Sequence, residues 1–371
     1  MMRDTMRRRL LILGAGIALS ASLALPVRAQ DRTVNFYNWS NYVAPGVLED
    51  FTRETGIKVV YDTFDANETL ESKLLAGKSG YDVVVPTAYF LQRQIAAGVF
   101  QKLDKSKLPN LKNAWDFVTG KLALYDPGNQ FAANYMWGTT GIGYNVAAVK
   151  RILGEGAVID SWETIFKPES LAKFKECGVH MLDSAEDILP AALTYLGRDP
   201  NSTNKDDLEK AAEVVGKVQP SVRKFHSSEY LNALATGEIC LVVAWSGDIK
   251  QAQSRAAEAN NGVEIGYAIP KEGAQMFFDN LAIPADAKNV AEAHELINFL
   301  YRPEIAARNS DFLSYANGNA ASREFINPRV LNDKAVYPDD ATLARLFVIT
   351  ARDPATQRTI TRLWTRVKTG R

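Results

Sequence analysis

The chain has 371 residues, 46% of them hydrophobic, with 43 basic and 43 acidic side chains. That length exceeds one ordinary core and points to two domains, and the absence of surplus positive charge argues against nucleic acid as a partner. The first 29 residues hold five arginines (Arg3, Arg7, Arg8, Arg9, Arg28) and one acid, Asp4, so a chain that loses them keeps a net charge of −4, compatible with a cationic ligand.

Loss of that segment is expected. Arg7, Arg8 and Arg9 form a basic start, Leu10 to Leu25 is an uncharged apolar run, and Val27-Arg28-Ala29 is a small-x-small cleavage site. This is the pattern of an export signal cut near Ala29, spanning residues 1–29. The run is too short for a membrane-spanning helix, which takes about 20 apolar residues. No cysteine lies near the cut to take a lipid anchor. Arg7-Arg8-Arg9-Leu10-Leu11 also suits the twin-arginine route, although an ordinary basic n-region accounts for it. The mature chain is expected to be soluble in the periplasm.

The mature start alternates strand and helix. Val34 to Tyr37 reads as a strand and Asn38 to Tyr42 as the loop after it. A helix opens at Pro45 and closes at Gly56, with Val47, Leu48 and Phe51 as its apolar stripe. Ile57 to Tyr61 is the next strand, Glu68 to Ala76 a helix ended by Gly77, and Asp82 to Val85 a third strand stopped by Pro86. A third helix carries Leu91 and Ile95 and ends at Gly98. Such alternation predicts parallel pairing, with ligands beyond the carboxyl ends of the strands. The Gly-rich pass from Tyr135 to Tyr144 has no helical period and reads as an extended crossing. Val179 to Leu182 and Cys240 to Ala244 are further strands, and the stretch near Val263 to Ile269 is a candidate return crossing. A last helix, Thr356 to Val367, turns Ile360, Leu363, Trp364 and Val367 inward and keeps a basic face of Arg358, Arg362, Arg366 and Lys368, read as solvated.

Cys177 and Cys240 are the two cysteines. In an oxidising compartment a disulfide is the natural inference; two buried free thiols are the alternative.

No catalytic motif survives inspection. Gly14-Ala15-Gly16 lies in the export signal. The position four after His294 is Asn298, which breaks a zinc-helix pattern, and His180, His226 and His294 are widely scattered. No Gly-x-Ser-x-Gly elbow occurs. The reading is therefore of a binding protein, not an enzyme, with no metal or other cofactor. The distinctive pattern is aromatics beside acids and small polar groups in loops. These are Trp39-Ser40-Asn41-Tyr42, Thr87-Ala88-Tyr89-Phe90, Asp183 to Asp187, Trp245-Ser246-Gly247-Asp248, Phe277-Phe278-Asp279 and Ser314-Tyr315. Ring faces attract cations and carboxylates bind ammonium hydrogens, so these types suit an organic cation. Singly, each has a plain explanation: Trp245 is equally at home in a core, and Asp248 could cap the helix after it.

At these residues the chain resembles the periplasmic polyamine-binding proteins of ABC importers, in particular those for putrescine. The likeness runs from Val34 to the C-terminus. It includes Tyr37-Asn38-Trp39-Ser40, Glu54 to Asp62, Val84-Val85-Pro86, Thr139 to Asn145, Phe225-His226-Ser227-Ser228 and Ile269 to Ala274. The resemblance implies an α/β, two-lobed periplasmic binding protein fold (type II) whose lobes are joined by two crossing strands. Lobe 1 would comprise 32–137 plus 262–313, and lobe 2 138–261 plus 314–371, with the ligand in the cleft between. It also implies a monomer that delivers its ligand to an inner-membrane ABC permease, with a polyamine sensor for a membrane signalling protein as the alternative.

The resemblance further implies ligand-binding roles. Trp39, Trp245, Phe277 and Tyr315 would wall a methylene chain, with Ser40 and Tyr42 at the mouth. Asp248 and Asp279 would hold one ammonium and Asp187 would reach toward the other through water. Thr87, Tyr89 and Ser228 complete the expected lining. Departures pull in two directions. Asp187 stands where a glutamate is usual, Asn41 stands at an acid position, and Tyr89 resembles the spermidine-binding relatives, whereas Phe277 fits the putrescine type. Putrescine is the favoured ligand and spermidine the alternative.

Overall fold

The structure is a computed structural model that describes residues 32–370; the export signal read at 1–29 lies outside them. The first three strands, β1 (Thr33–Trp39), β2 (Lys58–Phe64) and β3 (Val83–Val84), are parallel with β1 in the middle. Helices Val47–Thr55, Asn67–Leu75 and Ala88–Ala96 follow them in turn. The first opens two residues after Pro45. It ends as the sequence requires: Gly56 takes the left-handed conformation at φ 70° and its N–H bonds back to the Thr52 carbonyl.

The Gly-rich pass is β4 (Ala132–Asn145), the longest strand of the described residues. Its first half pairs antiparallel with β9 (Ala274–Ala282). Its second half pairs antiparallel with β7 (Leu241–Trp245) on one side and β8 (Ile265–Ala268) on the other. Beyond β7, β5 (Val179–Met181) and β6 (Lys224–Phe225) run parallel to it. The resulting order is β2-β1-β3-β9-β4-β7-β5-β6. Parallel pairing thus holds in each arm, and β4 and β9 break it where the chain crosses. The glycines of β4 answer to crowding from both sides. A Cβ on Gly141 would come within 2.4 Å of the Ala268 carbonyl oxygen.

Each arm has its own core. Val34, Phe36, Phe51, Ile57, Val83, Met136, Leu281 and Phe299 pack together around the β1–β3 arm. Ile142, Trp162, Phe166, Val179, Leu189, Leu234, Val243 and Leu363 pack around the β5–β7 arm. A third cluster, including Phe90, Trp137, Phe278, Ile326 and Tyr337, packs on the paired first half of β4 and β9. Trp137 and Phe278 reach it because they alternate along their strands with Met136 and Phe277.

Two placements differ from the expected division of the chain. The stretch 265–268 stays paired with the second half of β4, and the return to the first arm is made by β9. Residues 316–349 accompany the first arm through the third cluster and through β10 (Ala316–Asn317). Leu346 touches the second core, and Val348, Thr350 and Arg352 bond to residues 200–202. The terminal helix Pro354–Thr369 rejoins that core in full, burying Ile360, Leu363, Trp364 and Val367. The strand pattern of β9 was masked because it is buried end to end; with both faces covered, no polar alternation remains to read. The basic face of the terminal helix is tied to neighbouring acids, Arg366 to Glu209 and Lys368 to Asp183. Among the described residues no helix is long and apolar enough to cross a membrane.

Cys177 and Cys240 form a disulfide, with Cα atoms 5.7 Å apart and a sequence separation of 63. It ties the loop before β5 to the residue before β7. Closing a loop of that length stabilises by about 4 kcal/mol in the chain-entropy treatment. Replacing both cysteines with serine should lower the melting temperature while preserving the far-ultraviolet dichroism of the native chain. An unchanged melting temperature would contradict this account of the cross-link.

Candidate functional site

Five of the segments converge because they leave the carboxyl ends of parallel strands, while Phe277 and Asp279 lie within the antiparallel strand β9, not in a loop. Trp39 is the last residue of β1, and Ser40 and Tyr42 follow it. Thr87 stands at the N-cap of helix Ala88–Ala96, just past β3, with Tyr89 in its first turn. Asp187 lies in the first turn of helix Ala185–Tyr195, past β5. Ser228 lies past β6. Trp245 ends β7, and Asp248 lies in the first turn of helix Ser246–Ala259. Phe277 and Asp279 come from one face of β9, and Tyr315 immediately precedes β10. All twelve line one cavity of about 60 Å³. On this measure one water takes roughly 10–15 Å³, so the space suits a narrow chain of a few heavy atoms.

The walls are rings set edge to face. Trp39 and Trp245 have centroids 5.9 Å apart, Trp245 and Phe277 6.3 Å, Phe277 and Tyr315 6.0 Å, and Tyr315 and Tyr42 5.4 Å. Trp39 is fixed by donating its indole N–H to the Val85 carbonyl at 2.9 Å. Such packing holds the rings as rigid plates.

Three buried carboxylates face this ring cage, and each is held by neutral donors; a fourth, Asp65, lies exposed at the rim. Asp279 accepts from the Tyr42 hydroxyl at 2.8 Å and the Thr87 hydroxyl at 2.7 Å. Asp248 accepts from Tyr230 at 2.6 Å and Tyr315 at 2.9 Å. Its carboxylate is thus engaged by phenols, and the capping role open to it in sequence is not the one it takes. Asp187 accepts from Thr140 at 2.5 Å, Ser184 at 2.7 Å and the Trp245 indole at 3.2 Å. Among the described residues, no lysine, arginine or histidine lines the cavity. Burial therefore raises the pKa of all three acids, and that of Asp279 reaches about 7. Hydroxyls offset part of the shift. A cation is the complement this site lacks.

The sequence matches the family of bacterial extracellular solute-binding proteins over residues 46–339. The chain belongs to that family. It is 50% identical over 361 residues to the putrescine-binding periplasmic protein of Escherichia coli (strain K12), covering 96% of this chain and 98% of the relative. It is 51% identical over 356 residues to the putrescine-binding periplasmic protein of Pseudomonas aeruginosa (strain UCBPP-PA14), covering 96% and 97%. A solved structure from Listeria monocytogenes superposes with a TM-score of 0.81 at 32% identity, covering 92% of this chain and 100% of that one. This extracellular solute-binding protein is thus periplasmic, with the two-lobed α/β fold of type II binding proteins.

Several side chains that line or brace the cavity were not picked out from the sequence. Asn67 braces Thr87, donating to its hydroxyl at 2.9 Å and accepting from its backbone N–H at 3.1 Å. Tyr230 holds Asp248 from the side away from Tyr315. Asp65, Leu231 and Gln275 complete the lining with Asn41 and Ser227. Asp65 follows Phe64 and Tyr230 follows Glu229, so the aromatic–acid signal was present there and went unread, and Asn41 lay inside a flagged segment; Asn67 and Gln275 have no such pair beside them. Gly247 did lie within a flagged segment, and its role is steric: a Cβ there would stand 2.3 Å from the Tyr315 ring.

Gly247→Ala should therefore push Tyr315 off Asp248 and destabilise the chain by about 1–3 kcal/mol, the usual cost of overpacking; unchanged denaturant unfolding would refute the contact. A pH prediction follows from Asp279. Its pKa of about 7 in the folded chain, against an ordinary 3.8, means that the folded state keeps a proton the unfolded state has lost between those values. Its contribution to stability is greatest below about pH 4 and falls as pH rises to about 7. Asp279→Asn should gain stability relative to the parent across that interval in ligand-free melts. A difference independent of pH would count against the buried carboxylate.

Proposed function

We propose that this chain captures a polyamine in the periplasm, putrescine by preference, and delivers it to the permease of an ABC importer. The observation that carries the reading is the set of three buried carboxylates in an aromatic cage with no basic residue in its lining. A linear diamine supplies what each part lacks. Its methylenes lie between the rings of Trp39, Trp245, Phe277 and Tyr315, each burying about 0.8 kcal/mol of apolar surface before entropic costs. One ammonium sits at Asp248 and Asp279, and the other faces Asp187 through water. Each charge-assisted bond contributes roughly 1.5–3 kcal/mol. A monoamine leaves one acid unpaired and binds less well. The putrescine-binding relatives and Phe277 support the choice among polyamines.

Closure follows from where the groups reside. The two lobes are the two arms with their cores, divided in the middle of β4. Trp39, Tyr42, Phe277, Asp279 and Tyr315 belong to the first arm; Asp187, Trp245 and Asp248 belong to the second. The Tyr315–Asp248 hydrogen bond and the Trp39–Trp245 contact cross between them. A ligand touched by both sides favours the closed arrangement, a population shift that gives a permease one form to recognise.

Calorimetric titration with putrescine, cadaverine, spermidine and spermine tests the reading. Putrescine should bind most tightly and without chemical change. Binding of none of the four below millimolar would overturn the assignment. Asp248→Asn should weaken putrescine binding at least tenfold in a chain that remains folded, and unchanged affinity would remove Asp248 from the site.

A further inference from the structure

We propose that the Gln275 end of the cavity is a subsite for an additional amine nitrogen, that of a triamine such as spermidine. This rests on the polyamine reading above. Alternate residues of a strand point the same way, so β9 presents Gln275, Phe277 and Asp279 as an amide, a ring and an acid along one cavity wall. Gln275 is 2% exposed, and its Oε1 has no hydrogen-bond partner among the described residues. Buried amides are seldom left unpaired, and one that faces a ligand cavity is poised for a ligand group. Whichever way its amide is turned, Gln275 carries one acceptor and two N–H donors.

Register places this amide at the far end from Asp279. Gln275 precedes Met276, which pairs with Thr139 of β4, and the next residue of β4, Thr140, donates to Asp187. Tyr89 completes that end. Burial first, then the charges of Asp187, Glu186 and Glu68, push its phenol well above the ordinary value.

Lengths separate the two ligands. At a rise of about 3.3 Å per residue, Phe277 stands roughly 7 Å and Gln275 roughly 13 Å along the strand from Asp279. A four-methylene diamine has five single bonds of about 1.5 Å, which zigzag to roughly 6 Å. Anchored at Asp279, its second nitrogen lies near Phe277 and reaches Asp187 only through water. An added aminopropyl arm contributes four bonds, roughly 5 Å more, and brings a nitrogen to Gln275. An amide accepts that N–H without adding a fourth buried charge, so diamines still bind when it is unused.

The test is titration of the parent chain, Gln275→Leu and Gln275→Glu with putrescine and spermidine in one buffer, alongside melts of the ligand-free proteins. Gln275→Leu should weaken spermidine at least fivefold and change putrescine less than twofold. Gln275→Glu should shift the ratio the opposite way, and it carries the test if the leucine variant does not fold. A merely structural glutamine would move both affinities by one factor together with the melting temperature. That result overturns the subsite, as would affinities that stay unchanged or a parent chain that binds putrescine but not spermidine. Failure of the parent to bind either amine would instead strike at the polyamine reading itself.

Discussion

Three carboxylates held out of water by neutral donors are the constraint from which the rest of this structure follows. An uncompensated buried charge is costly, and Asp187, Asp248 and Asp279 are each relieved only in part, by hydroxyls and one indole. Their pKa values rise in consequence. The same hydroxyls keep the acids pointing into the cavity, so the groups that make them tolerable also aim them. Hydroxyl donors leave room for a cation to add its hydrogens, where a lysine or arginine partner would have closed the site. In the proposed pose, a dication relieves these acids from both of its ends.

The backbone makes this arrangement responsive. β4 runs through both arms, pairing first with β9 and then with β7 and β8, so the two cores are continuous through the crossing yet packed separately. The ring cage is built across that division. Tyr315 bonds to Asp248, Trp39 meets Trp245, and Gly247 is small enough to let the first contact form. For the proposed ligand pose, in which both arms supply contacts, occupancy and the relative placement of the arms become one equilibrium.

Much of the framework was legible in the sequence. The βα repeats at the start announced themselves through capping glycines, of which Gly56 is the clearest, and they placed Trp39 and Thr87 beyond strand ends. The terminal helix showed its apolar stripe intact. Aromatics beside acids marked most of the segments that converge, while the likeness to polyamine-binding proteins named Asp279 and Tyr315 as expected ligand groups, and both line the cavity. What escaped had physical reasons. β9 is buried on both faces and interrupts its apolar run with Gln275, Asp279 and Asn280, so no period of two could be recognised. The segment 316–349 consists of short turns whose partners are distant in sequence, and its packing on the first arm follows from Trp137 and Phe278 alternating outward. Asn67 and Tyr230 act through other side chains, and local patterns do not reveal that.

The most direct measurement is a crystal structure of the chain grown with putrescine. The account predicts one extended diamine in the cavity, its carbons flanked by Trp39, Trp245, Phe277 and Tyr315. One nitrogen should lie within about 4 Å of both Asp248 and Asp279, an ion-pair distance, and the other should join Asp187 through a water. Diamine density elsewhere, or a nitrogen in the cavity that meets none of these three acids, would contradict it.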